Sequence, residues 1–458
     1  MQQLFMTPSD ICNPWGKLEF KANSLEFLGN IAADEPILRT FTPDPSKPLD
    51  PSWTDYWMNQ EGLRVSLAYQ AKDGLYVFYC VRVTQRELDP ASPTFYQGSF
   101  RHWQIYRATS QDGYTIQDLR LVFAGPERPP HPYARWANHW MARNARTGML
   151  YFYIMGREET WGGLLGLFVF GSLDGDTWHL LSDQPGYLLN HDTVSLLWDG
   201  AKEQVISYQI FNFQDEHKTI IDNTKNRRRA ISILTSPDAL HFQEQLRITP
   251  DLADPPDMEF YRMSGFVYGD RYLAMVNEYA PSPLRPNRHA PHLMCEWWVS
   301  ADGVHWQRPW RDVEAQGGAP YTIEADPIFV DNAMLWWINE QIWGLPAYRI
   351  ASVGSKSNAA FTTLKFTMPP NPLLLNAAIP TRPRFFNQSY VMAELLDEHW
   401  RLLPGYEREK CLIQEKDATD LPLLWEGKGG VEFAGHQVSI RFYLRDARIY
   451  AIQDRSPE

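Results

Sequence analysis

The chain has 458 residues and is 14% aromatic against 21% charged, a balance that excludes a disordered, low-complexity or collagen-like polymer. A net charge of −12 argues against nucleic acid as a partner, because phosphate binding rests on a basic surface. No apolar stretch approaches the roughly 20 residues of a spanning helix, so no membrane partner is expected.

Met1–Asp10 carries no Lys or Arg and no apolar core run, so it does not read as a secretory signal. Cysteines stand at 12, 80, 295 and 411, without metal-type spacing, and are expected to be buried and reduced. Both features suit a cytoplasmic chain, with a mature secreted form as the alternative.

From residue 73 onward two elements alternate. One is an apolar strand after a turn: Asp73-Gly-Leu-Tyr76-Val-Phe-Tyr79, Thr147-Gly-Met-Leu150-Tyr-Phe-Tyr153, Lys202-Glu-Gln-Val205-Ile-Ser-Tyr208, Gly269-Asp-Arg-Tyr272-Leu-Ala-Met275 and Asp331-Asn-Ala-Met334-Leu-Trp-Trp337. The other closes an apolar, β-rich run: Ser110-Gln-Asp112-Gly113, Ser172-Leu-Asp174-Gly175-Asp-Thr-Trp178, Ser236-Pro-Asp238-Ala-Leu-His-Phe242 and Ser300-Ala-Asp302-Gly303-Val-His-Trp306. Its serines are 62, 64 and 64 residues apart. Asp and Gly suit a tight turn, Ser can bond nearby backbone, and the aromatic packs beneath, so the element is expected to be structural rather than a substrate contact. A period of about 64 residues matches a four-stranded sheet, and five such sheets predict a five-bladed β-propeller over 46–355.

The basic run Lys225–Arg229 reads as a solvated loop. After about residue 355 the period is lost. Short apolar runs such as Leu421–Trp425, Val438–Phe442 and Ala447–Ile452 predict a separate β-sandwich over 356–458. Residues 1–45 read as a lead segment packing on the propeller, and the fold class is all-β.

Four passages resemble glycoside hydrolases with a five-bladed propeller followed by a β-sandwich, the group of invertases, levanases and arabinanase-like enzymes. Tyr56-Trp57-Met58-Asn59-Gln60-Glu61-Gly62 resembles the first-blade Trp-Met-Asn-Asp-Pro-Asn-Gly signature. His102-Trp103, running into Arg107-Ala-Thr-Ser110, resembles Trp-Gly-His-Ala-x-Ser of blade two. Asn190-His191-Asp192-Thr193 stands where that family has Arg-Asp-Pro. The tail, with Trp425-Glu-Gly427, Ile440–Leu444 and Ala447-Arg-Ile-Tyr450, is similar to the sandwich of a bacterial glycosyl-hydrolase-like subgroup. Two departures weigh against an ordinary invertase: Gln60 replaces the catalytic Asp, and the Glu-Cys-Pro acid motif is missing.

The resemblance implies hydrolysis of a furanoside or small oligosaccharide by carboxyl groups at one end of the central funnel. Glycosidic cleavage needs one protonated carboxyl and one ionised carboxylate. Glu61 is expected as nucleophile or general base, with Asp55 as its rival, and Asp192 as stabiliser of the oxocarbenium-like transition state. Glu259, flanked by Met258, Phe260 and Tyr261, is expected as the general acid, because desolvation raises a carboxyl's pKa; Asp257 is its substitute. Sugar recognition combines aromatic platforms with amide, His and Arg donors. Candidates are Trp57, Asn59, His102, Trp103, Arg135, Trp136, Asn138, His139, His191, Tyr261, Glu324 and Trp343. Glu278, a charge at the end of an apolar strand, reads as the partner of an Arg, with substrate contact as its second role. Neither a transition metal nor a cofactor is expected; His191-Asp192 and Glu324-Ala-Asp326 are where a structural calcium ion would fit. A non-catalytic carbohydrate-binding propeller is the alternative, a protein-binding propeller a weaker third, and the oligomeric state stays open.

Overall fold

An Asp that ends a strand can satisfy several amides at once, and this chain uses that device in every copy of the Ser-x-Asp element. The computed structural model describes residues 2–30, 32–33, 63–87, 99–124, 139–157, 164–191, 193–216, 218, 226–280, 292–311, 313–315, 317, 325–338, 341–381 and 389–454. Ser110 Oγ donates to Asp112 Oδ1 (2.9 Å) and accepts from the Gly113 amide (2.9 Å); Asp112 Oδ1 also accepts from the amides of Tyr114 (2.8 Å) and Thr115 (2.7 Å). The same bonds recur at Ser172 and Ser300, and at Ser236 without the glycine amide. Burial works against the Asp112 charge, but the amide and hydroxyl donors win and hold its carboxyl down to about 2. The residue after Asp is left-handed, with φ of 74° at Gly113, 78° at Gly175, 63° at Ala239 and 74° at Gly303.

Each turn is held by the neighbouring sheet. Tyr153 Oη donates to Ala239 O (3.1 Å) and Tyr208 Oη to Gly303 O (3.0 Å), while Tyr79 Oη lies 1.9 Å from where a Cβ on Gly175 would stand. Trp178 and Trp306 donate back to the glycine carbonyls of their own turns, at 3.3 and 3.1 Å. The recurring element is therefore a structural clasp between sheets.

The alternating strands pair antiparallel into five sheets of four principal strands. Blade one is Leu63–Gln70, Tyr76–Glu87, Ser99–Ser110 and Thr115–Ala124; blade two is His139–Arg143, Leu150–Arg157, Leu165–Ser172 and His179–Leu180. Blade three is Val194–Asp199, Gln204–Gln214, Arg227–Ser236 and Gln243–Ile248, and blade four is Glu259–Tyr268, Arg271–Ala280, His292–Ser300 and Trp306–Gln307. Blade five has Ile328–Val330, Ala333–Ile338 and Gln341–Pro346, and takes its outer strand, Glu26–Asn30, from the N-terminus. First strands of blades one to four touch in turn, and that of blade five touches that of blade one, along the inner ring.

Five apolar clusters close that ring, one between each pair of neighbours. Leu67 and Tyr79 meet Met141 and Phe152 between blades one and two; Tyr153 and Val169 meet Leu196 and Leu234 between two and three. Ile206 and Ile233 meet Phe260 and Trp298, Phe266 and Trp297 meet Trp336, and Phe78 meets Trp337 and Ile328 between blades five and one. The chain is all-β, a five-bladed propeller with a β-sandwich.

The N-terminal lead differs from expectation. Instead of packing on the propeller as one piece, it is dealt out among sheets. Gln2–Leu4 and Glu19–Ala22 join one sandwich sheet, Ile11–Trp15 joins the other, Ala32–Ala33 pairs parallel with the outer strand of blade one, and Glu26–Asn30 enters blade five. Without that strand, blade five would leave Gln341–Pro346 as an open edge with unpaired backbone groups. Ala351–Ser355 also pairs in the sandwich, between Glu19–Ala22 and Ala447–Asp454. The two sandwich sheets enclose a core with Phe5, Phe361, Trp425 and Phe442. Arg349 ties the sandwich to the last blade, donating to Asn376 Oδ1 (2.8 Å), Asp417 Oδ1 (2.5 Å) and Ala377 O (3.1 Å). Among the described residues no helix is long and apolar enough to cross a membrane.

Two substitutions test the clasp with opposite signs. Ala239→Gly is expected to stabilise by about 1 kcal/mol by removing a Cβ from left-handed backbone. Gly303→Ala is expected to destabilise by more, since its Cβ would also stand 2.7 Å from Ile206 Cδ1. Urea denaturation midpoints check both.

Candidate functional site

The inner strands of blades three and four start side by side, and side chains of unlike chemistry gather there. Glu259 opens its strand, opposite Tyr279. A register shift between Phe260 and Arg262 leaves Tyr261 as an extra residue. Such a bulge re-aims a side chain. Tyr261 meets the His191 ring edge-on (6.2 Å) and stacks on Tyr279 (6.0 Å, 25°). The Arg229 guanidinium lies over both tyrosine rings, at 5.3 and 5.1 Å.

Beneath these rings is a buried charge triad. Lys218 Nζ donates to Glu259 Oε1 (2.5 Å) and to Arg227 O (3.0 Å), and Arg229 donates to Glu259 Oε2 from its side chain and, at 3.3 Å, from its amide. The three side chains are 0%, 3% and 0% exposed for Lys218, Arg229 and Glu259. The general-acid expectation for Glu259 rested on burial among apolar neighbours. Burial is complete, but two cations occupy its two oxygens, so the carboxyl is tied up in ion pairs rather than presented to a leaving group. The basic run at 225–229 is likewise no solvated loop from Arg227 on. Arg227–Ser236 is a strand, Arg229 is buried, and Arg228 donates to Asp215 Oδ2 (3.1 Å) and to Met258 O. Lys218 and Arg229 join the candidate site without having been expected there; the signal for Arg229 was a run of arginines inside an otherwise alternating strand. Arg262, over the ring of buried Trp140 at 5.1 Å, links blade four to blade two and had no signal at all.

The other expected residues divide as follows. Asp55, Trp57, Asn59, Glu61, Arg135, Trp136, Asn138, Asp192 and Glu324 lie outside the described residues. His102 and Trp103 fall in the strand Ser99–Ser110 and His139 in His139–Arg143, with side chains outside the description. Asp257 is half-buried with φ of 32°. Trp343 is a core residue, 7% exposed, packed edge-on against Phe27 (5.6 Å) in the cluster between blades four and five. It therefore does not serve as an open sugar platform.

Glu278 pairs with an Arg. Arg308 Nη2 donates to Glu278 Oε1 (2.9 Å) and Glu296 Oε2 (2.7 Å), and its Nη1 to Asp254 Oδ2 (2.6 Å). Arg311 Nη1 donates to Asp254 Oδ1 (2.8 Å). Desolvation, then the neighbouring Glu296 carboxyl, push Glu278 up to about 8 against the pull of Arg308. At 8% exposure it belongs to the wall between blades three and four, not to an open pocket. Asp326, just before the inner strand of blade five, is pushed up to about 7 by burial. Among the described residues no three His, Cys, Asp or Glu are grouped so as to hold a metal ion.

No family model matches the chain, and no curated protein does. Solved structures with a similar trace include a glycosyl hydrolase from Bacteroides ovatus (11% identity, 63% of this chain and 84% of that one, TM-score 0.39). Others are a family 117 glycoside hydrolase of Zobellia galactanivorans (14%, 69% and 79%, TM-score 0.37) and a protein of unknown function from Dyadobacter fermentans (10%, 92% and 100%, TM-score 0.39).

Glu259→Gln is expected to cost about 3–5 kcal/mol, because it leaves Lys218 and Arg229 as buried, undercompensated cations; thermal and urea unfolding measure it. Stability is also expected to fall as pH rises. The raised Glu278 and Asp326 carboxyls keep protons in the folded state that the unfolded chain has already released, so stability is lost from their unfolded values, 4.5 and 3.8, up to about 8 and about 7. Denaturation at pH 5 and pH 8.5 should show the higher midpoint at pH 5, with a smaller difference in Glu278→Gln.

Proposed function

We propose that the chain is a glycoside hydrolase acting on a furanoside or small oligosaccharide, with its chemistry where the inner strands of blades three and four begin. The observation that supports this most is the half-buried pair His191 and Tyr261, held in place by the buried Tyr279 and Arg229. An aromatic face beside imidazole and hydroxyl groups is what a sugar ring with an apolar face and a rim of hydroxyls needs. Asp192, next in the chain to His191, takes the role of transition-state stabiliser, and Glu61 that of nucleophile or base. Glu259 acts as the post that holds Arg229 against the two tyrosines. The acid role passes to Asp257, whose carboxyl is less enclosed. Retention or inversion follows from the separation of the two reacting carboxyls.

A non-catalytic carbohydrate-binding propeller is the second reading, supported by the capture of Glu259 and by Gln60 in place of the first-blade Asp. Glu61→Gln, Asp192→Asn and Asp257→Asn are each expected to slow hydrolysis of aryl glycosides and oligosaccharides by about 10²–10⁴, with saccharide binding retained. Wild type that binds saccharides and cleaves none of them would sink the enzymatic reading and leave the second.

A further inference from the structure

The ring of inner strands has a second mouth, at the end where those strands finish. Tyr69 and Arg143 at the ends of the inner strands of blades one and two, Trp198 and Asp199 of blade three and Val267 of blade four border one cavity of about 600 Å³, and Asp326, from the segment before the inner strand of blade five, also lines it. A second cavity of about 410 Å³ shares Gly269 and Asp270 with it and runs to the sandwich, where Gln2 and Gln453 form its wall. Both lie at the opposite end of the inner strands from His191 and Tyr261.

Three rings line the first cavity, and each is fixed by a neighbour. The Arg143 guanidinium sits 4.1 Å over Tyr69, Tyr151 stacks near Trp198 (6.4 Å, 23°), and Lys202 Nζ stands 5.9 Å over Tyr272. Aromatic rings held this way lose little freedom on meeting a ligand. The lining carries both signs, Arg143, Lys202 and Arg271 beside Asp199, Asp270 and Asp326. What it offers is aromatic faces set among groups that donate and groups that accept. At the sandwich end, the buried Gln2 Nε2 has no acceptor among the described residues. A neutral saccharide has the matching chemistry, apolar ring faces with hydroxyls that both donate and accept. Two joined cavities give room for more than one ring.

We propose that the lower mouth of the propeller, with the crevice leading from it to the sandwich, is a second saccharide site that binds a neutral oligosaccharide of two or more rings. The site does not depend on the catalytic reading. It would hold one end of a chain-like glycan away from the reacting carboxyls, or anchor the protein to a polymer.

Titration calorimetry on the full chain tests this, with cellobiose, maltose and sucrose and the tetrasaccharides of the first two as probes. In the Glu61→Gln, Asp192→Asn double variant, saturable binding of at least one probe should remain. Adding Trp198→Ala is expected to weaken that binding about tenfold, the loss of one ring contact. Asp326→Asn, which leaves the packing alone, should weaken it as well, and Gln2→Ala should weaken the tetrasaccharide more than the disaccharide. In an otherwise wild-type chain, Trp198→Ala should leave aryl-glycoside hydrolysis within about twofold. Absence of binding for every probe, or binding unmoved by both Trp198→Ala and Asp326→Asn, overturns the proposal. Binding that depends on Trp198 in a chain without hydrolytic activity upholds it and overturns only the catalytic reading.

Discussion

The arrangement of this chain rests on one packing constraint: five apolar wedges, one between each pair of neighbouring blades, must all be filled for the inner strands to meet. A sheet of alternating strands has two apolar faces here, and neither can be left to water without losing about 25 cal/mol for each Å² exposed. Each wedge therefore depends on the next, and the ring is complete only when blade five has its fourth strand. Glu26–Asn30 supplies it, so the two ends of the propeller sequence are hydrogen-bonded into one sheet. The Ser-x-Asp clasps work at the same joints. Tyr153 and Tyr208 reach across the wedge to a backbone carbonyl of the next turn, which sets the position of one blade against another more sharply than apolar contact alone.

Against that apolar frame, the charges buried between blades three and four stand out. Taking Glu259, Lys218 and Arg229 out of water costs several kcal/mol for each ion, and their mutual attraction only about offsets it. The triad is thus a poor source of stability and a good source of position. It holds the Arg229 guanidinium on two tyrosine rings beside His191. Arg308, with Glu278, Glu296 and Asp254, does similar work farther out on blade four, and there burial, with the crowding of carboxyls second, leaves Glu278 holding a proton at neutral pH. The apolar ring thus tolerates buried polar groups at a few places, and there they fix the positions of neighbouring side chains.

Local chemistry was legible wherever a residue acts on its own neighbours in sequence. Ser110, Asp112 and Gly113 lie within four residues, and so do their counterparts, which is why the turn, its period and hence the blade count could be read directly. The pairing of Glu278 with an arginine was also visible, since a charge in an apolar strand demands a partner, though not that Arg308 would be the one. The capture of Glu259 was not visible. Lys218 is 41 residues away and Arg229 is 30, and nothing local says that both fold back onto one carboxylate. Trp343 was misread for the same reason: an aromatic reads alike whether it faces a funnel or the Phe27 ring some 300 residues earlier.

The sequence by itself determined the repeating unit, because turn bonds and strand alternation are short-range and each copy carries its own instructions. It also determined the all-β class. Only the tertiary structure decided how the N-terminal strands are shared out among the sandwich, blade five and blade one, and which charges meet at the inner strands. Those outcomes depend on which sheet edge is left open and which buried ion is left uncompensated once the ring has formed. Both are properties of the assembled chain, and no segment carries them alone.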